Sequence, residues 1–429
     1  MKKISLNTFV RSRFPLALFA GLLLAASFPK IGIAGFAWIA PGLMLAIALG
    51  KNGRQSFRLG YAAGFAHYLA SLYWLLNIPV TGFPILGWVA LSAFLALLTG
   101  TWVWLCLKAL GVNQVSGENK WIERLKEISS WSWTRRIFWT LGCAATWVAL
   151  EMTIARLFGG FPWNLLGASQ YRLLPLIQFS SFTGVYGVSF LIVWTSVSLL
   201  CAVATIITRP DLRSVWIGEI ILPMLALVTA FTFGFHKLRQ PPVAARELSV
   251  ALIQPSIPQT MIWNQENDFA RFQNLIQLSE QALTNHVDVL LWPEAATPSF
   301  AARDTNFFPV ISQLAREHRV WIILGSDDAG RLEHPTEKEQ YEYYNASFLV
   351  SPYGEFVARY RKRNLVIFGE YIPFEHTLPF IKWLTPVTGS FTPGDKAVPF
   401  EMELAERRAP VRPDSENRQL AEPARGVPI

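Results

Sequence analysis

The stretch Val287-Asp288-Val289-Leu290-Leu291-Trp292-Pro293-Glu294-Ala295-Ala296 decides how this chain is read. Residues 287–291 have the length and apolar character of a buried strand, and Trp292 and Pro293 come after it. A carboxylate follows at once. Upstream, residues 248–253 read as another buried strand, and residues 267–284 as a helix with Phe269, Phe272, Leu275, Ile276 and Leu283 on one face. Downstream, residues 306–318 read as a second helix and residues 320–324 as a third strand. Residues 345–350 and 355–360 bracket Ser351-Pro352-Tyr353-Gly354, a hairpin signal. Strands alternating with helices indicate an α/β layered domain, and in open α/β sheets ligands gather at the carboxyl ends of strands. Glu294 stands at such an end. The position suits a catalytic carboxylate, and it equally suits a helix-capping or surface glutamate.

Everything before this region has a different composition. The chain is 52% apolar and only 16% charged, unusual for one soluble globule, and the apolar excess is concentrated in its first 236 residues. Seven strongly apolar runs lie near residues 14–28, 31–49, 59–78, 83–110, 137–157, 182–207 and 215–235. Several exceed the ~20 residues a helix needs to cross a bilayer core. The first is short and contains Pro15; it reads as an uncleaved span, with a cleaved signal peptide as the alternative.

Basic residues orient the spans, because lysine and arginine are retained on the cytoplasmic side. Lys2, Lys3, Arg11 and Arg13 precede the first run, Lys51, Arg54 and Arg58 follow the second, Lys120, Arg124, Lys126, Arg135 and Arg136 the fourth, and Arg209 and Arg213 the sixth. The intervening loops carry few. This alternation puts the amino terminus inside and everything beyond about His236 outside. The net charge of +8 is then largely topological, and nucleic acid is not an expected partner. Cys106, Cys143 and Cys201 all fall inside expected spans, so no disulfide framework is expected in the outer domain. The six histidines are scattered singly, and neither a metal site nor a cofactor is expected.

A second cluster brings a family into view. Glu355-Phe356-Val357-Ala358-Arg359-Tyr360-Arg361-Lys362-Arg363-Asn364-Leu365-Val366-Ile367-Phe368-Gly369-Glu370-Tyr371-Ile372-Pro373 resembles the lysine segment of the nitrilase, or carbon-nitrogen hydrolase, superfamily. More narrowly it is similar to its integral membrane member, the bacterial apolipoprotein N-acyltransferases. Phe161-Pro162-Trp163-Asn164-Leu165-Leu166-Gly167 matches a loop of that family, Glu151 matches ten residues before it, and Gln254-Pro255-Ser256-Ile257-Pro258-Gln259 with Trp263 matches the opening of its outer domain.

The resemblance implies a multi-pass α-helical membrane domain over residues 1–236 with about seven transmembrane helices. It also implies an extracytoplasmic nitrilase-like αββα sandwich, incomplete here, over residues 245–402, with an atypical polar tail at 403–429. It implies a multi-pass protein of the bacterial cytoplasmic (inner) membrane with its catalytic domain on the periplasmic side. The implied reaction moves a phospholipid acyl chain to the amino group of the diacylglyceryl-cysteine at a lipoprotein's amino terminus. Phospholipid donor, diacylglyceryl lipoprotein acceptor and the membrane are the implied partners. By resemblance Glu294 is the base, Lys362 the cation near the developing oxyanion, and Glu370 a second carboxylate that fixes the lysine or assists proton transfer. Gln254 and Trp263 are the implied substrate-binding residues, with an interfacial anchor the equal alternative for Trp263.

The family's nucleophile is a cysteine on a later strand, yet no cysteine follows Cys201. Agreement runs through Gly389-Ser390-Phe391-Thr392-Pro393-Gly394 to Met402, and residues 405–429, rich in proline and charge, read as a disordered tail. Ser415 is not read as a replacement nucleophile. The expectation is a truncated or frame-shifted acyltransferase, ahead of an inactive relative that binds lipid or lipoprotein. A membrane-tethered amidase of the same superfamily is the remaining alternative, disfavoured by the apolar spans and Phe161-Pro162-Trp163.

Overall fold

The computed structural model describes residues 13–77, 84–109, 120–211, 213–240, 247–258, 265–297, 306–332, 340–373, 377 and 390–403. The chain divides into two compact units: one formed by Met1–Glu247, Ile257–Gln265 and Arg363–Pro393, the other by Leu248–Ser256, Glu266–Lys362 and Gly394–Ile429.

The first unit is helical. Its helices are α1 (Phe14–Ala26), α2 (Ala40–Ala48), α3 (Gly53–Ser71), α4 (Pro84–Lys108), α5 (Lys120–Ser130), α6 (Trp133–Ile154), α7 (Val185–Thr208) and α8 (Arg213–Arg239), with several shorter helical turns between them. By length and composition, α4, α6, α7 and residues Val215–Arg239 of α8 can each cross a membrane. The second apolar run is not one helix. A 3₁₀ turn at Ala34–Trp38 precedes α2, with Ile39 between them and Pro41 in the first turn of α2, where its missing amide hydrogen costs nothing. The third run also differs, since α3 starts earlier, at Gly53, where the Asn52 side chain caps the Gln55 amide at 2.9 Å, and stops at Ser71. The basic segment read as a loop after the fourth run contains α5, which buries Leu125 and Ile128 in the core of the unit.

Large buried side chains such as Trp102 fill the core of this unit, and glycines let its helices approach closely. A β-carbon on Gly60 or Gly64 of α3 would come within 2.8 Å of Val103 and 2.7 Å of Thr99 on α4. One buried ion pair joins two helices of this unit: Arg136 of α6 donates from Nε to Glu219 Oε1 of α8 at 2.7 Å, both side chains buried, and Arg136 also donates to the Ser129 carbonyl at 3.2 Å. The three cysteines are free and buried in α4, α6 and α7.

The second unit is built on a five-stranded sheet in the order β1 (Val250–Leu252), β2 (Val289–Leu291), β3 (Trp321–Arg331), β4 (Tyr341–Val350), β5 (Phe356–Arg361). The first two pairings are parallel, crossing through α9 (Asp268–Leu283) and α10 (Phe307–His318), and the last two are antiparallel. Alternation along β3 and β4 sends Ile322, Leu324, Ala346, Phe348 and Val350 into a core with Leu275, Ile311 and Leu314 of the helices. The hairpin expected at Ser351–Gly354 joins β4 to β5, with a register irregularity at Leu349/Val350. The third strand runs well past its expected end at Leu324, through Gly325, Ser326, Asp327 and Asp328 to Arg331, because β4 offers it a ladder partner throughout. Trp263 and residues 404–429, including Ser415, lie outside the described residues.

Candidate active site

The deciding stretch folds as its residue types require. Leu291 completes β2, and Trp292 extends the pairing by one residue, donating its amide to the Ile323 carbonyl at 2.9 Å while its buried indole donates to Ser279 Oγ of α9 at 3.0 Å. Pro293 has nothing to donate and the ladder ends. Ala295 then takes φ 49°, an uncommon value for a residue with a β-carbon, and the Ala296 amide reaches the Gly325 carbonyl at 3.0 Å. The chain therefore bends sharply over β3 directly after the strand's carboxyl end, and Glu294 is left standing at the bend.

Gly325 makes the bend possible. A β-carbon there would lie 2.6 Å from the Pro293 carbonyl oxygen and 2.7 Å from Glu294 Cα. The sequence carried a signal for this: a glycine within a strand pattern marks a close backbone approach. The apolar pattern of residues 320–324 stops one residue short of Gly325, so the pattern alone does not bring the signal out.

Lys362 follows β5 and is held by its own backbone, its amide donating to the Asn345 carbonyl at 2.8 Å and its carbonyl accepting from Gly394 N at 2.9 Å. Its ammonium meets Glu294: Nζ donates to Oε1 at 2.9 Å. Asn345, not singled out in the sequence, donates from Nδ2 to the same Oε1 at 2.5 Å. One carboxylate oxygen thus receives a cation and an amide, and the register places Asp327 opposite Asn345 on β3. Burial pushes the Asp327 carboxyl above the usual carboxylate range. The Glu294 side chain is 61% exposed and that of Lys362 29%. An ion pair this open adds little to stability, so its significance is geometric.

Gln254 is exposed, just beyond the end of β1. Glu370 belongs to the first unit, where its Oε2 accepts from the Val366 amide at 2.8 Å, within its own turn, and its backbone carbonyl accepts from Phe391 N at 2.8 Å. Among the described residues, Glu280, Glu317 and His318 come nearest to a metal-binding arrangement; they lie on α9 and α10, where His318 Nε2 and Glu280 Oε2 pair at 2.9 Å. They take no part in the Glu294 cluster.

In the first unit, the Phe161-Pro162-Trp163 loop is anchored by Glu151, a buried residue of α6 whose Oε1 accepts from the Leu166 amide at 2.7 Å and from Trp147 Nε1 at 2.9 Å. Asn164, at φ 58°, donates to Ser71 Oγ at 2.7 Å, and Trp163 packs on Trp74 with ring centroids 4.7 Å apart. Trp163 itself remains 56% exposed.

Comparison with known proteins matches both halves. Residues 20–198 match the family described as the apolipoprotein N-acyltransferase N-terminal domain, and residues 249–405 match carbon-nitrogen hydrolase. The apolipoprotein N-acyltransferase of Geobacter metallireducens is 34% identical over 389 residues, covering 90% of this chain and 69% of that protein. The chain belongs to the apolipoprotein N-acyltransferase family. The enzyme of the same name from Rickettsia prowazekii is 26% identical, over 86% of this chain and 67% of its own length. Among solved structures, a carbon-nitrogen hydrolase from Helicobacter pylori aligns with 19% identity over 34% of this chain and 45% of its own, at a TM-score of 0.20, too low to bear on the fold. Family membership and the parallel-antiparallel sheet with its helices identify the second unit as a nitrilase-like domain, and the apolar helices make this a membrane protein.

Proposed function

We propose that the chain is built to move an acyl group from a phospholipid to the free amine of a diacylglyceryl-cysteine lipoprotein, from the outer side of the bacterial cytoplasmic membrane. The observation that carries this reading is the meeting of Lys362 Nζ and Glu294 Oε1 at 2.9 Å at the carboxyl end of β2. Acyl transfer through a thioester needs a base to take the thiol proton and return it to the leaving group, and a cation where the tetrahedral oxyanion develops. Glu294 serves as the base and Lys362 as the cation, with Asn345 holding the carboxylate oxygen that Lys362 also touches. Glu370 is kept as a supporting carboxylate, and Gln254 and Trp263 as substrate contacts.

In the first half reaction the thiolate sulfur attacks the ester carbonyl carbon of the phospholipid, a C–S bond forms, and the lysophospholipid oxygen leaves with the proton held by Glu294. In the second, the lipoprotein amine attacks the thioester carbon, the C–S bond breaks as the amide forms, and the amine's proton passes by way of Glu294 to the departing sulfur, which regenerates the thiol. Both substrates are lipid-anchored, which explains why a hydrolase-type domain is fused to apolar helices.

The test is N-acylation of a diacylglyceryl-cysteine peptide in phospholipid micelles, followed by mass spectrometry. Cys106, Cys143 and Cys201 are buried in helices of the first unit. The assay therefore compares the 429-residue chain with one in which residues 403–429 are replaced by a family segment bearing the cysteine strand and final span. The second protein is expected to acylate the peptide and the first to leave it unchanged. Hydrolysis of a small amide by the second protein, without transfer to the peptide, would favour the amidase reading instead.

A further inference from the structure

Arg361, Lys362 and Arg363 are three consecutive cations, and any of them could neutralise Glu294 as far as charge alone is concerned. Only one meets it. The hairpin turn does not make that choice by itself, because the β4–β5 ladder is irregular at Leu349/Val350, between the turn and Lys362. A slip of one residue in a strand turns every side chain to the opposite face, and would present an arginine where the lysine stands.

On the opposite face of the sheet lies a buried acid. Asp328 of β3 is 4% exposed, and its Oδ2 accepts from Arg361 Nε at 2.8 Å and lies 3.3 Å from Arg359 Nη1. Arg361 also stacks over the Tyr344 ring, 3.6 Å from guanidinium carbon to ring centroid. Alternation places residues 359 and 361 on one face and 360 and 362 on the other. A single buried carboxylate thus takes up two of the neighbouring arginines and leaves the lysine to the catalytic face.

We infer that Asp328 is a positioning residue: by clamping Arg359 and Arg361 it sets the register of β5 and selects Lys362, rather than a flanking arginine, as the cation beside Glu294. The inference rests on the reading of Glu294 and Lys362 as the reacting pair. Arginine in that place would present a planar fork instead of a compact ammonium and would not substitute for it.

Zero-length coupling tests this on the full chain in detergent, without any turnover. A water-soluble carbodiimide activates the Glu294 carboxylate, the Lys362 amine attacks the acyl carbon, and the urea leaves, so that an amide joins the two side chains and mass spectrometry of the digest measures its yield. The unaltered chain is expected to give the Glu294–Lys362 peptide. Its absence there would sink the reacting-pair reading itself. Asp328→Asn, assayed well below its melting temperature, is expected to lower the yield at least severalfold, and Arg361→Gln likewise, with Arg361→Lys retaining more than Arg361→Gln. Unchanged yield in folded Asp328→Asn would overturn the positioning role while leaving the pair intact. If Asp328→Asn does not fold, the two Arg361 variants decide, and equal yields from them and the unaltered chain have the same meaning.

Discussion

At Gly325 the missing side chain is what allows Glu294 to stand over β3. Gly325→Ala would force a methyl group against the Pro293 carbonyl and Glu294 Cα, both backbone atoms that cannot rotate away. Such overpacking costs about 1–3 kcal/mol. The variant is expected to melt at lower temperature and to lose most of the Glu294–Lys362 coupling; a variant with unchanged coupling would mean that the bend does not depend on this glycine. Asp327 gives an opposite kind of effect. Burial raises its carboxyl in the folded state, so the charged form weakens folding at neutral pH, and the stability this group can contribute is present only at low pH and is lost as pH rises through its folded value. Asp327→Asn is therefore expected to be more stable than the unaltered chain at about pH 7, with the gap closing as pH falls below the ordinary carboxylate range. Denaturant midpoints at several pH values measure it, and a gap that widened toward low pH would contradict the account.

At the scale of elements, the loop carrying Phe161-Pro162-Trp163 depends on one carboxylate. Glu151→Leu removes the acceptor for the Leu166 amide and the Trp147 indole together, leaving buried donors whose loss costs about 1–3 kcal/mol apiece. Glu151→Gln keeps an acceptor oxygen and is expected to fall between the two. Hydrogen exchange at the Leu166 amide should quicken in the leucine variant first, and equal protection in all three would remove Glu151 from this role. The elements legible in the sequence were those with one strong period: α9, α10, β2 and the β4–β5 hairpin stand close to where alternation and helical spacing put them. What was not legible came from tertiary context. The polar second half of β3 looks like a loop until β4 pairs with it, and Asn345 looks like any strand residue until the bend after Pro293 delivers Glu294 to it. Ile31 to Leu49 reads as one apolar span because hydropathy does not register the break ahead of Pro41.

At the scale of the whole molecule, Glu294 and Lys362 are legible by resemblance and the structure brings them together, whereas Asp328 carries no motif and emerges only from the packing of β3 against its neighbours. Orientation across the membrane rests on the alternation of basic loops. A reporter active only outside the cytoplasm should be active when fused after Lys237 and silent after Lys126, and the reverse pattern would contradict the proposed placement. The central claim is that Glu294 and Lys362 form a site for thioester-mediated acyl transfer, and the most direct measurement is capture of the covalent intermediate. With an alkyne-tagged phospholipid, the protein carrying the family cysteine segment in place of residues 403–429 should acquire hydroxylamine-sensitive label, and Glu294→Gln or Lys362→Met in that protein should reduce it by several powers of ten. The 429-residue chain should acquire none. Label on that chain, or label undiminished by either substitution, would contradict the account.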